Sequence, residues 1–178
     1  MNKSFRRLSL AAVLCLSLGA AATGWAAPRV GIPNPIVNYA TVQEAAKAAG
    51  FIPLYLPEIS GYHVSEAMVI SKDLIDLLYT RDGDSSTVLR IRTAKAGHNH
   101  PSGDISGIYG AQWTMQRLKG ITVYTAAYTD PDDSLATGHA AHWQIHDTLF
   151  SVSADKIAAP EFQHLLEDGL VDLSVHYF

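Results

Sequence analysis

Leu74-Ile-Asp-Leu-Leu-Tyr-Thr80, Arg81-Asp-Gly-Asp84 and Thr87-Val-Leu-Arg-Ile-Arg-Thr-Ala-Lys95 together decide the fold. The first and third stretches are rich in strand-forming residues, and the Asp-Gly string between them is a hairpin turn. In the third, Leu89 and Ile91 alternate with Arg90 and Arg92, so one face of that strand is buried and the other carries charge. Working outward, His63–Ser71 reads as a strand before this hairpin. Gln112–Leu118, Ile121–Tyr128, Thr137–His146 and Thr148–Ala154 read as strands after it. Lys119-Gly120, Asp130-Pro-Asp-Asp133 and His146-Asp147 punctuate them as turns. The pattern predicts an antiparallel sheet of about seven strands.

Two helices complete an α+β fold. Thr41 followed by Glu44 is a capping-box pattern, and Val42, Ala45, Ala46 and Ala49 give a helical face that ends at Gly50. Pro160, with Phe162, Leu165, Leu166 and Leu170 at helical spacing, predicts a C-terminal helix whose last turns Gly169 weakens. Between the first helix and the first strand, Pro53 and Pro57 forbid both a helix interior and a central strand. That segment should cross the core in extended form.

The N-terminus has a different character. Lys3, Arg6 and Arg7 precede an apolar run from Leu8 to Ala22, and Gly24 and Ala26 supply small residues for cleavage. Residues 1–26 are expected to be a secretory signal peptide. The mature chain would begin at Ala27, with 27–37 an extended Pro- and Gly-rich lead-in and 38–178 a single α+β domain. The product is expected to be exported, to the periplasm or the medium. The only cysteine, Cys15, lies inside the apolar run and lacks the small preceding residue of a lipidation site. No disulfide framework or thiolate chemistry is therefore expected in the mature chain.

Loss of the three basic residues leaves a formal charge of about −7, since 17 acidic residues face only 10 basic ones. Nucleic acid is excluded as an expected partner, because phosphate binding needs a basic footprint. After Ala26 no apolar run reaches membrane-spanning length, so no transmembrane segment is expected in the mature chain.

Pro53-Leu-Tyr-Leu-Pro-Glu-Ile-Ser-Gly-Tyr62, Arg92-Thr-Ala-Lys95, Asp104-Ile-Ser-Gly107 and Ala141-His-Trp143 give the chain a recognisable motif order. In that order, over roughly Asn38 to Leu170, it resembles a bacterial extracytoplasmic domain family of unknown function. Members occur in exported and membrane-anchored proteins, some of them anti-sigma-factor-like. The resemblance implies an α+β domain with an antiparallel sheet and implies no reaction. The His-rich insertion before Asp104 departs from the family pattern.

Several strings invite a chemical reading. His98-Asn-His-Pro-Ser-Gly-Asp104 is similar to the metal-binding stretch of JAMM-type metalloproteases, in which two histidines and an aspartate hold zinc. The aspartate needed about ten residues beyond His100 is absent, since Tyr109, Gly110 and Ala111 stand there. Asp104-Ile-Ser-Gly107 reads as a wide turn: an Asp capping its own loop, a buried Ile and a Gly at positive φ. All eight histidines follow Ala26. The weak metal candidates among them are His98, His100, His142 and His146, with zinc or nickel as the ion. On a strand, His142 and His146 would share a face about 13 Å apart, too far to chelate one ion without the loop histidines. Asp130, Asp132 and Asp133 read as a polar turn rather than a calcium loop. Arg90, Arg92 and Arg117 are expected to pair with surface carboxylates rather than gather as an anion site.

No complete catalytic set is present, and no cofactor is expected. The sequence favours a non-enzymatic binding or sensor-like module for a protein or envelope component. An extracytoplasmic metal-binding protein using the His98/His100 loop is the alternative, and a metal-dependent hydrolase comes third. Three converging imidazoles would favour metal; an exposed apolar patch would favour a partner.

Overall fold

A computed structural model describes residues 34–57, 61–129 and 137–178, without the side chains of 84–88. The expected signal peptide, the lead-in up to residue 33 and the Asp130-Pro-Asp-Asp133 turn lie outside the described residues. The described chain forms one eight-stranded antiparallel sheet. Its strands are β1 (Ile36–Tyr39), β2 (Tyr62–Ile70), β3 (Leu74–Arg81), β4 (Asp84–Lys95), β5 (Thr114–Leu118), β6 (Ile121–Thr129), β7 (Thr137–Ile145) and β8 (Thr148–Ala154). Their spatial order is β1-β2-β3-β4-β8-β7-β6-β5. The α+β class therefore holds, with eight strands rather than about seven.

The extra strand is β1, which pairs with β2 from Ile36↔Ile70 to Tyr39↔Ala67. It starts inside the stretch expected to be lead-in, two residues ahead of the expected domain start at Asn38. Three of its four residues are exposed, so it carries no alternation for a sequence reading to detect.

Helix α1 (Val42–Ala49) starts on the expected cap: the Thr41 side chain accepts from the Glu44 backbone N–H, and Glu44 Oε2 accepts from the Ala40 N–H. At the C-terminus, α2 (Ala159–His164), a π-helical stretch (Leu165–Leu170) and α3 (Val171–Tyr177) follow without a break. Gly169 does not weaken the end as expected. Leu166, Leu170 and Val171 are fully buried around it, and their packing outweighs the cost of about 1 kcal/mol for a helical glycine. The wider π turn is the local accommodation.

Alternation along the strands separates two faces. Ile75, Leu77 and Tyr79 of β3, Leu89 and Ile91 of β4, Phe150 and Val152 of β8 and Trp143 of β7 join Ala45, Phe162, Leu166 and Leu170 in the main core. The extended segment between α1 and β2 closes this core as expected, burying Leu54 and Leu56. Its backbone is pinned by sheet hydroxyls: the Leu54 N–H donates to Thr93 Oγ1 and the Leu56 N–H to Tyr79 Oη, both at 3.0 Å. Burial also pushes the Tyr79 phenol well above its ordinary pKa. Tyr79→Phe should cost about 1–3 kcal/mol, because it leaves the Leu56 N–H buried without an acceptor. A urea melt unchanged from wild type would refute that pinning role.

The connection from β4 to β5 has a topological task. Strand β4 is central and β5 is an edge, so residues 96–113 must pass β8, β7 and β6, roughly 19 Å at the usual strand spacing. They do so over the face opposite the helices. There Ile105 packs with Leu74, Ala94 and Leu149 as a second small core.

Candidate functional site

The 96–113 loop is built as the sequence predicts. Asp104 Oδ1 accepts from the Ser106 N–H at 2.8 Å, Ile105 is buried, and Gly107 has φ +73°. What holds the loop down comes from β4. Arg92 Nη1 donates to the carbonyls of Ile105 and Ser106 at 3.1 and 2.8 Å, while its Nε donates to Asp76 Oδ2 at 3.1 Å. Asp76 is only 2 % exposed, and Arg90 Nε lies 3.4 Å from its other oxygen. Arg90 and Arg92 thus pair with a carboxylate, but with one shared, buried Asp76 rather than with surface carboxylates, because the loop covers this face of the sheet. Arg117 lies on β5, where its Nη2 donates to the Gly120 carbonyl.

The four histidine candidates are not brought together. His98 is exposed on the loop. Asn99 Nδ2 donates to Asp73 Oδ2 and so fastens the loop to the β2–β3 turn, while His100 Nε2 lies 3.7 Å from the same oxygen without a hydrogen bond. His146 does not lie on β7 with His142 as expected. The strand ends at Ile145, and His146 adopts φ +49° in the turn, where its carbonyl accepts from Gln144 Nε2. The geometric reason is the tight return to β8, paired Ile145↔Thr148, which leaves only His146 and Asp147 to reverse the chain. Among the described residues, no group of three or more His, Cys, Asp or Glu side chains could hold a metal ion.

His142 does stay on the loop-covered face, though it is not solvent-facing in the way a bare strand alternation implies. Its ring is stacked on Tyr124 with centroids 4.9 Å apart, and Trp113 meets it edge-on at 4.6 Å. Burial pushes its pKa below the ordinary histidine value, with Asp104 opposing the shift through its charge. A cleft of about 500 Å³ opens beside this ring, lined by Ser102, Gly103, Gly120, Thr122, Tyr124 and Gln144 among others. The other histidine of β7, His139, faces the helices and stacks on Phe162.

The helix side carries a second feature that the sequence did not mark. Ile52 and Tyr55 point outward from the extended segment, 68 % and 52 % exposed, and Tyr177 of α3 is 77 % exposed. Two clefts, of about 510 and 390 Å³, flank this ridge and share Ile52, Pro53, Tyr55 and Pro57 in their walls. One continues to Val42 and Ala46 of α1, the other to Leu173 and Phe178. Alternation accounts for Tyr55, which lies between the two pinned and buried residues Leu54 and Leu56; Ile52 does not follow it, because Pro53 beside it is buried as well.

Comparisons with protein-family models, curated proteins and solved structures returned no match for the chain. No helix among the described residues is long and apolar enough to cross a membrane.

Proposed function

We propose that the chain is an exported, non-enzymatic binding module of the extracytoplasmic kind it resembles, and that it engages a protein partner through the Ile52–Tyr55–Tyr177 ridge. The observation that carries this reading is the ridge itself: three large exposed apolar side chains grouped between two apolar-walled clefts. Isolated surface hydrophobics need no explanation, whereas a grouped set of aromatic and aliphatic anchors is the composition of an interface centre. The ridge sits on a braced segment, so little ordering entropy is lost on docking. Export through the signal peptide expected at residues 1–26 belongs to the same proposal.

A photo-crosslinking residue placed at Tyr55 or Tyr177 tests this in the native host. Both positions should give the same discrete adduct, and the exposed Lys72 in the β2–β3 turn should not. Identical patterns from all three sites, or no adduct from the ridge, would remove the proposal.

The metal-binding alternative draws on His98, His100, His142 and His146, which the fold distributes over the loop, the sheet face and a turn. Added zinc or nickel should accordingly leave the melting temperature nearly unchanged. A tight site would add about 2.7 kcal/mol at a hundredfold excess over its Kd. Such a shift, lost in a His98→Ala, His100→Ala double variant, would restore the metal reading.

A further inference from the structure

We propose that the cleft beside His142 is a second binding site, which takes one ring of a neutral saccharide. This stands apart from the ridge, on the opposite face of the sheet, and does not depend on it. The argument begins with register. Val123 pairs with Trp143 and Tyr124 with His142, so Thr122 and Tyr124 on β6 and His142 and Gln144 on β7 project from the same face. Four side chains thus stand at the corners of a patch about 5 Å wide across the strands and about 7 Å long along them. That is the footprint of a single sugar ring rather than of a peptide helix or an acyl chain.

The chemistry of the lining narrows the ligand further. None of Ser102, Gly103, Gly120, Ile121, Thr122, Tyr124, His142, Trp143 and Gln144 is an acid, a lysine or an arginine. An anion would find no lysine or arginine in this lining to hold it, and the Asp104 charge that acts on His142 opposes one. The groups present are hydroxyls, an amide and an imidazole. Burial favours the neutral form of that imidazole, which then offers one donor and one acceptor. Gln144 is already oriented, because its Nε2 donates to the His146 carbonyl, which leaves its Oε1 as an acceptor at the rim. Donors and acceptors mixed at this spacing complement a ring of hydroxyls.

An aromatic surface supplies the apolar part. Tyr124 is stacked on His142 by one face and remains 38 % exposed, so part of its ring can meet the C–H face of a sugar. Trp113, edge-on to the same imidazole, holds the arrangement from the loop side. The loop itself is anchored by Arg92, so Ser102 and Gly103 are presented on a braced wall rather than a free strand. Such preorganisation lowers the ordering cost that weak sugar ligands can rarely offset.

Chitotriose, maltotriose and cellotriose are the probes, with inorganic phosphate as the charged comparison. Chemical shifts of the Gln144 side-chain amide and the His142 ring report occupancy. At least one trisaccharide should give a saturable shift, Tyr124→Ala should weaken it tenfold or more, and Gln144→Leu should weaken it severalfold. Where Tyr124→Ala does not fold, Thr122→Val combined with Gln144→Leu carries the same comparison on residues outside the main core. The proposal is overturned if no trisaccharide gives a saturable shift, if phosphate binds there and none of the sugars does, or if the variants bind as wild type does.

Discussion

Arg92→Met should destabilise the protein by about 3–5 kcal/mol, the range for breaking a buried ion pair from one side. Asp76 is 2 % exposed on a central strand, and Arg92 is both its cross-strand partner and its hydrogen-bonded one. Without Arg92 the carboxylate keeps only Arg90, at 3.4 Å and without a hydrogen bond to it. The carbonyls of Ile105 and Ser106 lose their donor in the same step. Lysine would not substitute, because three acceptors on two chain segments need the fork of a guanidinium. Gly107 belongs to the same device. A Cβ there would come within 2.5 Å of Arg92 Nη1, at a φ of +73° that L side chains rarely adopt. Chemical denaturation measures the loss directly. A value below about 1 kcal/mol for Arg92→Met would show that Asp76 is not held in the way the geometry indicates. Removing both charges, in Asp76→Leu with Arg92→Met, should cost less than the sum of the single changes, since no buried charge is left unpaired.

Much of this architecture is legible in the sequence, because strand alternation and turn chemistry are local. All seven expected strands are present with ends shifted by no more than a few residues, and Asp104-Ile-Ser-Gly107 closes its turn for the reasons its residue types predict. What escapes a sequence reading depends on distant partners. Strand β1 has no burial pattern of its own and exists through its ladder with β2. The C-terminal helix continues past Gly169 because the sheet face needs Leu170 and Val171. The extended segment shows two prolines and no obvious face, and Tyr55 is turned outward only once Thr93 and Tyr79 hold Leu54 and Leu56 inward. His142 likewise looks like a solvated strand residue until the loop brings Trp113 to it across 29 positions. The topology supplies that cover: a chain leaving a central strand for an edge strand has to cross a face of the sheet.

Trp143→Ala should be the most damaging single truncation in the main core, at about 3–5 kcal/mol. The indole is 2 % exposed, lies nearly parallel to Phe150 with centroids 5.5 Å apart, and donates from Nε1 to Ser174 Oγ at 2.9 Å. It therefore joins the sheet to α3 both by packing and by a buried hydrogen bond. Ser174 in turn donates to the Val171 carbonyl at 2.8 Å, so it keeps a partner when the indole is gone. The loss in Trp143→Ala is accordingly a cavity beneath the helix rather than an orphaned hydroxyl. Ser174→Ala separates the two contributions. It leaves the indole N–H buried without an acceptor and should cost about 1–3 kcal/mol with the packing intact. The expected ranking is Trp143→Ala well above Ser174→Ala, with Gln144→Ala, exposed on the opposite face, close to neutral. Because a one-residue slip in β7 would exchange the two faces, the ranking also reads the register. A large loss at Gln144 with little at Trp143 would mean that β7 is paired one residue out of the observed alignment with β8.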